Sequence, residues 1–399
     1  MSRKLHNATP LLGVLFLVGC SSGGAPPPEP VAAPAPVEHQ PLDGANYLVY
    51  YVENDGLHVM NTQTGVDRIA FPVAGDTRAA AAPSGDRFVV NYRDNDSSKV
   101  VMIDGASGTT TRVHATAGAG QYTFAWSRDG SRLGVGHRSD EGSGVVVVVG
   151  SEARPHPVGC STSDRFLAWR TDGSMIVADA NNVYAASAED CTTLATLPKR
   201  GKTDIVYSAN GEKVSFLRNN RAGQAELWVA NYNGAGAQTV APYQYLPQRT
   251  AWAPDAGRIA FTLQSQQYAN VTHVAVHDLT TGRATFDAEP TELGVPNDDN
   301  ACWSPDGARI AFDRSYSRSG AGQSYLTMQK VVTEVGTGTT AVIVEELVRG
   351  GPPPVRCAWV GNTHLLVAFT DETQIVDVTS KATFSVPAGR QVLFAMVIH

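Results

Sequence analysis

One ten-residue pattern recurs along this chain: an aromatic residue, a turn built on Asp-Gly or Asn-Gly, then a run of apolar residues. It is cleanest at Trp303-Ser-Pro-Asp-Gly-Ala-Arg-Ile-Ala-Phe. Further copies are Trp126-Ser-Arg-Asp-Gly, Trp169-Arg-Thr-Asp-Gly, Tyr207-Ser-Ala-Asn-Gly and Trp252-Ala-Pro-Asp-Ala-Gly, with degenerate copies at Ala81-Ala-Pro-Ser-Gly and Trp359-Val-Gly-Asn. The anchors 81, 126, 169, 207, 252, 303 and 359 lie 45, 43, 38, 45, 51 and 56 residues apart. Self-similarity at a period of ~40–45 residues is the mark of radially repeated four-stranded sheets. Pro at the second turn position has its φ preset for a type I turn, and Gly closes the reversal between two antiparallel strands. The strand that follows, Arg309-Ile-Ala-Phe, alternates as a half-buried strand does. The Trp is large enough to fill the wedge between neighbouring sheets.

A second signal follows each copy. Leu57-His-Val-Met-Asn-Thr-Gln-Thr-Gly, Val100-Val-Met-Ile-Asp-Gly, Leu227-Trp-Val-Ala-Asn-Tyr-Asn-Gly and Val274-Ala-Val-His-Asp-Leu-Thr-Thr-Gly read as a third strand entering a Gly turn. Together the two signals resemble the PD40 (WD40-like) repeat of TolB-type propellers and the propeller portion of the prolyl-oligopeptidase group. The resemblance runs from about residue 42 to the C-terminus and implies an all-β fold, a β-propeller of four-stranded antiparallel blades. Asp43-Gly44-Ala45-Asn46, before Tyr47-Leu-Val-Tyr-Tyr, is an eighth copy of the turn without an inner strand ahead of it. The apolar run Gln391-Val-Leu-Phe-Ala-Met-Val-Ile has no turn behind it. Eight blades are therefore expected, with seven as the alternative. The C-terminal strand should complete the N-terminal blade and remove the open edge.

The N-terminus reads as an export address. Arg3 and Lys4 precede the apolar run Leu11–Val18, which is shorter than the ~20 residues that span a bilayer. Leu17-Val18-Gly19-Cys20 resembles the bacterial lipobox, which implies cleavage before Cys20 and lipidation of its thiol. Two or three acyl chains anchor a protein stably where one does not. Ser21, where an Asp would favour retention at the inner membrane, implies by the same resemblance the outer membrane, with the domain facing the periplasm. Seven prolines between Pro26 and Pro41 favour extended polyproline II. The expected organisation is a signal peptide over 1–19, the lipidated Cys20 with a proline-rich tether over 20–41, and the propeller over 42–399. The α/β domain that precedes the propeller in TolB has no counterpart in this reading.

Charge and motifs narrow the function. The chain carries a net charge of -7, and removing Arg3 and Lys4 makes it more acidic. No basic cluster stands out in the sequence, so phosphate-driven nucleic-acid binding is not expected. There is no Gly-x-Ser-x-Gly elbow, P-loop or dinucleotide fingerprint, so no catalytic residue and no cofactor is assigned. Export permits disulfides, and Cys160 with Cys191 and Cys302 with Cys357 are the two candidate pairs, against buried free thiols. Their spacing does not fit a zinc site. His273 and His277 would share one strand face, without a third clustered histidine to make a metal centre. Asn297-Asp298-Asp299-Asn300 offers oxygen ligands for Ca²⁺, against a solvated acidic loop. Tyr243, Tyr245, Tyr316 and Tyr325 stand on or near longer loops and could anchor a partner, against packing on blade rims. The reading is a monomeric, membrane-anchored envelope module that binds or scaffolds proteins. An enzyme sited in the channel (a lyase or hydrolase) and a carbohydrate or small-ligand binder are the alternatives.

Overall fold

The computed structural model describes residues 47–398 apart from connecting segments, of which 286–293 and 349–357 are the longest. The described residues form strands and turns, arranged as eight four-stranded antiparallel sheets. We number the sheets in chain order. Sheet 1 comprises three strands within 47–71 plus Val392–Ile398; sheets 2 to 8 occupy 74–117, 121–158, 165–198, 203–241, 248–285, 297–348 and 358–385. Within sheets 2 to 8 the strands follow one another as a meander.

Sheet 1 is composite. Tyr47–Val52 pairs on one side with Gly56–Asn61 and on the other with the C-terminal strand, Tyr47 opposite Ile398 and Tyr51 opposite Phe394. That strand is the innermost of its sheet, and it touches the innermost strands of sheets 2 and 8, Ala74–Ala81 and Ala358–Val360. The fold is a β-propeller whose first and last described strands pair in one sheet.

The stacking is apolar on both faces. In sheet 3, Leu133, Val135, Val146 and Val148 pack against Val89, Val100 and Met102 of sheet 2. Their neighbours Val145 and Val147 point the other way, against Phe166, Met175 and Val177 of sheet 4. Equivalent clusters join sheets 4 and 5, 5 and 6, 6 and 7, and 7 and 8. Middle strands are therefore buried on two sides, which is why Val145–Val149 is a continuous apolar run. It also corrects the half-buried reading of the strand after each turn: Ile310, Ala311 and Phe312 are all fully buried. Gly134 and Gly136 make room in sheet 3; a Cβ on Gly134 would stand 2.2 Å from the Phe166 ring. Outer strands such as Thr110–Ala117 bury only every third residue or so.

The anchor aromatics tie each seam a second time. Trp126 Nε1 donates to the Ala80 carbonyl, Trp169 to Ala125, Trp252 to Val206, Trp303 to Ala251 and Trp359 to Cys302, over 2.9–3.3 Å. Each acceptor is the residue just before the anchor of the preceding sheet. The Arg that follows the turn reaches forward. Arg87 lies over the Trp126 ring and donates to the Gly130 carbonyl, Arg258 lies over the Trp303 ring, and Arg309 donates to the Asn362 carbonyl.

The turn chemistry recurs at Ser127, Ser208 and Ser304. Ser304 Oγ donates to Asp306 at 2.6 Å, Asp306 accepts the Ala308 amide, and the Gly307 amide bonds the Ser304 carbonyl. Gly307 has φ 68, and Gly130, Gly173, Gly211 and Gly361 share this left-handed conformation. Glycine takes it at no steric cost. In the copy at Trp252 the position falls on Ala256, φ 57.

Candidate functional site

The greatest concentration of buried charge among the described residues lies in sheet 7. Its inner strand, Asn297–Trp303, bulges between Asp299 and Cys302, with Asn300 at φ 55. Its second and third strands, Arg309–Gly320 and Gln323–Glu334, run twelve residues each and pair along their whole length. The corresponding strands of sheet 6 are seven residues long. Near the turn at Asp306 the hairpin is apolar, through Ile310, Phe312, Val331 and Val332. Farther along it becomes polar at Asp313, Arg314, Thr327, Gln329 and Lys330, all buried.

These groups satisfy one another. Arg314 donates from Nε and Nη2 to the two oxygens of Asp298, at 2.7 and 2.9 Å, and Asp298 is 0% exposed. Burial alone would lower the Arg314 pKa; the hydrogen bonds and charge of Asp298 outweigh it and leave the guanidinium raised above its ordinary value. On the opposite face of the sheet Lys330 pairs with Asp313, which also accepts from Asn300 Nδ2 at 2.9 Å. Gln329 Nε2 donates to Glu345 at 2.6 Å. Thr272 of sheet 6 donates its amide to Asn297 Oδ1 and its hydroxyl to the Asp298 carbonyl. Here Asp298 and Asp313 are each engaged by a cation, an arrangement that fixes the ribbon.

The segment Asn297–Asn300 is thus a strand and not an acidic loop. Asp298 turns inward to Arg314, and Asn300 faces Asp313. Among the described residues no group of three or more His, Cys, Asp or Glu side chains is placed to hold a metal ion.

Tyr316 is corrected as a surface anchor. It belongs to the lengthened strand, opposite Thr327, and is 3% exposed. Residues 315–320 and 323–324 belong to the far end of this hairpin. Tyr325 lies in the partner strand opposite Arg318. Tyr243 and Tyr245 lie outside the described residues, as do Cys20, Cys160 and Cys357. Cys191 and Cys302 are both disulfide-bonded. Cys302 lies beside the Ala311, Trp359 and Leu365 cluster, and Cys191 beside Phe166 and Trp169. His273 and His277 share a face of Thr272–Asp278, opposite Leu263 and Ile259.

Two further histidines went unnoticed in the sequence because they are far apart in it. His114 of sheet 2 and His137 of sheet 3 lie with ring centroids 4.4 Å apart and planes tilted by 35°, and Tyr122 meets His114 edge-on at 6.1 Å. Tyr122 Oη lies 2.9 Å from Thr116 Oγ1 and donates to the Ser98 carbonyl at 3.3 Å. Burial, then the nearby His137, holds the His114 pKa down to about 4, and burial lowers that of His137. Near neutral pH both rings are uncharged.

No known family profile matches the chain, and no curated relative does. Solved structures do. A eukaryotic initiation factor is 12% identical with a TM-score of 0.53, covering 88% of this chain and 98% of that one. A prolyl endopeptidase is 12% identical with a TM-score of 0.53, covering 85% of this chain and 54% of that one. TolB from Acinetobacter baumannii is 11% identical over 88% of this chain and 82% of its own, with a TM-score of 0.42. At such identities the likeness of the first two is one of fold, and the chain is a β-propeller similar in architecture to proteins of unrelated activity.

Proposed function

We propose that this chain is a lipid-anchored propeller of the cell envelope that binds or scaffolds protein partners and carries out no reaction of its own. The observation that carries the reading is the fixed ribbon of sheet 7. Its buried charges are consumed in holding a hairpin several residues longer than its neighbours, on a wheel whose ends are paired. A rigid frame with one lengthened ribbon offers a preorganised surface, which lowers the cost of association. The signal segment, the Leu-Val-Gly-Cys tetrapeptide and the proline-rich stretch support attachment through Cys20 at the outer membrane, facing the periplasm. Cys160–Cys191 and Cys302–Cys357 are the disulfides this reading expects, the second stapling the inner-strand ends of sheets 7 and 8.

The test is crosslinking in intact cells, followed by capture of the full chain from detergent-solubilised envelopes. Recovery of a defined envelope protein, with loss of membrane attachment in Cys20→Ser, supports the proposal. One equivalent of tightly bound metal on the purified chain, with turnover of a polysaccharide, would overturn it in favour of an enzyme.

A further inference from the structure

Bases that the sequence scatters are gathered at one end of sheet 5. Lys199, Arg200 and Lys202 lie in the connection that leads into its inner strand, Thr203–Tyr207. Arg218 is the last residue but one of the second strand, and Arg221 follows in the turn to the third. In an antiparallel meander the entry to the first strand and the turn between the second and third lie at the same end. The register makes this concrete: Thr203 stands opposite Leu217, so Lys202 falls opposite Arg218, and Arg218 stands opposite Glu226.

Like charges placed across strands destabilise a sheet unless something neutralises them. Glu226 across from Arg218 and Asp204 beside Lys202 leave two carboxylates near these cations, but among the described residues neither closes an ion pair with them. Lys202 donates to the Pro198 carbonyl and lies 5.5 Å from the Phe216 ring centroid. Arg218 lies 5.5 Å over the ring of Trp228, itself the cross-strand partner of Phe216. Glu226, the carboxylate next in the row, accepts from Trp228 Nε1 at 3.1 Å, and among the described residues neither Lys202 nor Arg218 has an ion-pair partner. Burial and then Arg218 lower the Lys202 pKa, as expected for two cations sharing a site. Arg200, Arg218 and Arg221 are exposed.

We infer that this end of sheet 5 is the docking surface for an acidic peptide segment of a partner protein, with Lys202 and Arg218 as its centre and Arg200 and Arg221 as its rim. The inference rests on the protein-binding reading above and names the chemistry of the partner. A guanidinium held near an indole face still has its planar fork to offer a carboxylate. The patch spans a single sheet on a chain of net charge -7, so a flat anionic bilayer would meet mostly like charge around it. A narrow acidic segment can lie along the four bases without covering the acidic surface around them.

The experiment is fluorescence anisotropy of a labelled oligoglutamate peptide with the full chain, at low and raised salt. Saturable binding that weakens with salt is expected. A fall of about tenfold is expected in Arg218→Glu and in the exposed double variant Arg200→Glu/Arg221→Glu, each keeping the wild-type melting curve. Arg112→Glu, on the exposed outer strand of sheet 2, should bind like wild type. Absence of binding overturns the proposal. So does unchanged binding in the exposed double variant, or stronger retention on phosphatidylglycerol vesicles or on alginate. Crosslinking with Arg218→Glu separates the two readings. If that variant still captures the wild-type partner, this surface is refuted and the binding function stands. If neither chain captures a protein while the peptide still binds, the scaffold reading fails and the surface stands.

Discussion

Two seams of the wheel share a frame and differ in their polar content. Between sheets 2 and 3, as between sheets 6 and 7, apolar faces interlock, a Trp donates to the preceding inner strand, and an Arg lies over that Trp. Beside the first seam the polar groups are neutral: two half-buried imidazoles in contact, a buried phenol and a buried threonine hydroxyl. Beside the second they are charged, with Asp298 held bidentately by Arg314. The apolar wedge and the Trp tie are therefore the general device of stacking, and polar content is local. A neutral cluster is undemanding until protons arrive. An ion pair holds over a wide pH range but depends on both partners being present.

The comparison can be broken most severely by removing what both seams depend on. A chain ending at Ala388 lacks Val392–Ile398 and leaves Tyr47–Val52 with one partner strand. Its melting temperature should fall by more than about 10 °C, with loss of a single cooperative transition. Calorimetry showing the wild-type transition would refute closure by the chain ends.

The next effect sharpens the charged seam. Arg314→Ala leaves Asp298 buried and unpaired and should cost about 3–5 kcal/mol in urea unfolding. The double variant Asp298→Leu/Arg314→Met should recover most of that loss. For contrast, Asp255→Ala, which removes a half-exposed partner of Arg258, should cost under about 1 kcal/mol. Equal losses at the two sites would show that the buried pair is no more than a surface contact.

The neutral seam is tested by acid. The folded-state pKa of His114 lies below its ordinary value of 6.5, at about 4. The unfolded chain therefore takes up the proton first, and the native state loses stability as pH falls through that window. Unfolding followed at a series of pH values should show this decline, and His114→Gln should flatten it. A slope unchanged by the substitution would place the acid sensitivity elsewhere.

The smallest effect is a gain. Ala256 holds the left-handed conformation that glycine holds in the sister turns, so Ala256→Gly should stabilise the fold by ~1 kcal/mol. A loss on denaturant titration would mean that the buried Ala256 methyl contributes more by packing than its backbone costs.

Much of the frame was legible in advance. The anchors at 126, 169, 252, 303 and 359 are the tryptophans that cross the seams, because a repeat that must meet its neighbour identically each time needs the same residue at the same phase. The composite sheet was legible from an orphan turn at one end and an orphan strand at the other. The polar clusters were not. Asp298 and Arg314 lie sixteen residues apart, His114 and His137 belong to different repeats, and Lys202 meets Arg218 only through strand register. Tyr316 misled for the same reason: Ser, Gly and Arg around it suggested a loop, and pairing along the whole hairpin made it a buried strand residue.

The sequence by itself determined the periodic unit, its turns and the way the ends close, because these depend on contacts repeated at a fixed spacing. Tertiary structure alone decided which scattered charges meet, which are neutralised and which face outward. Those outcomes depend on register and on the neighbouring sheet, and neither leaves a periodic trace along the chain.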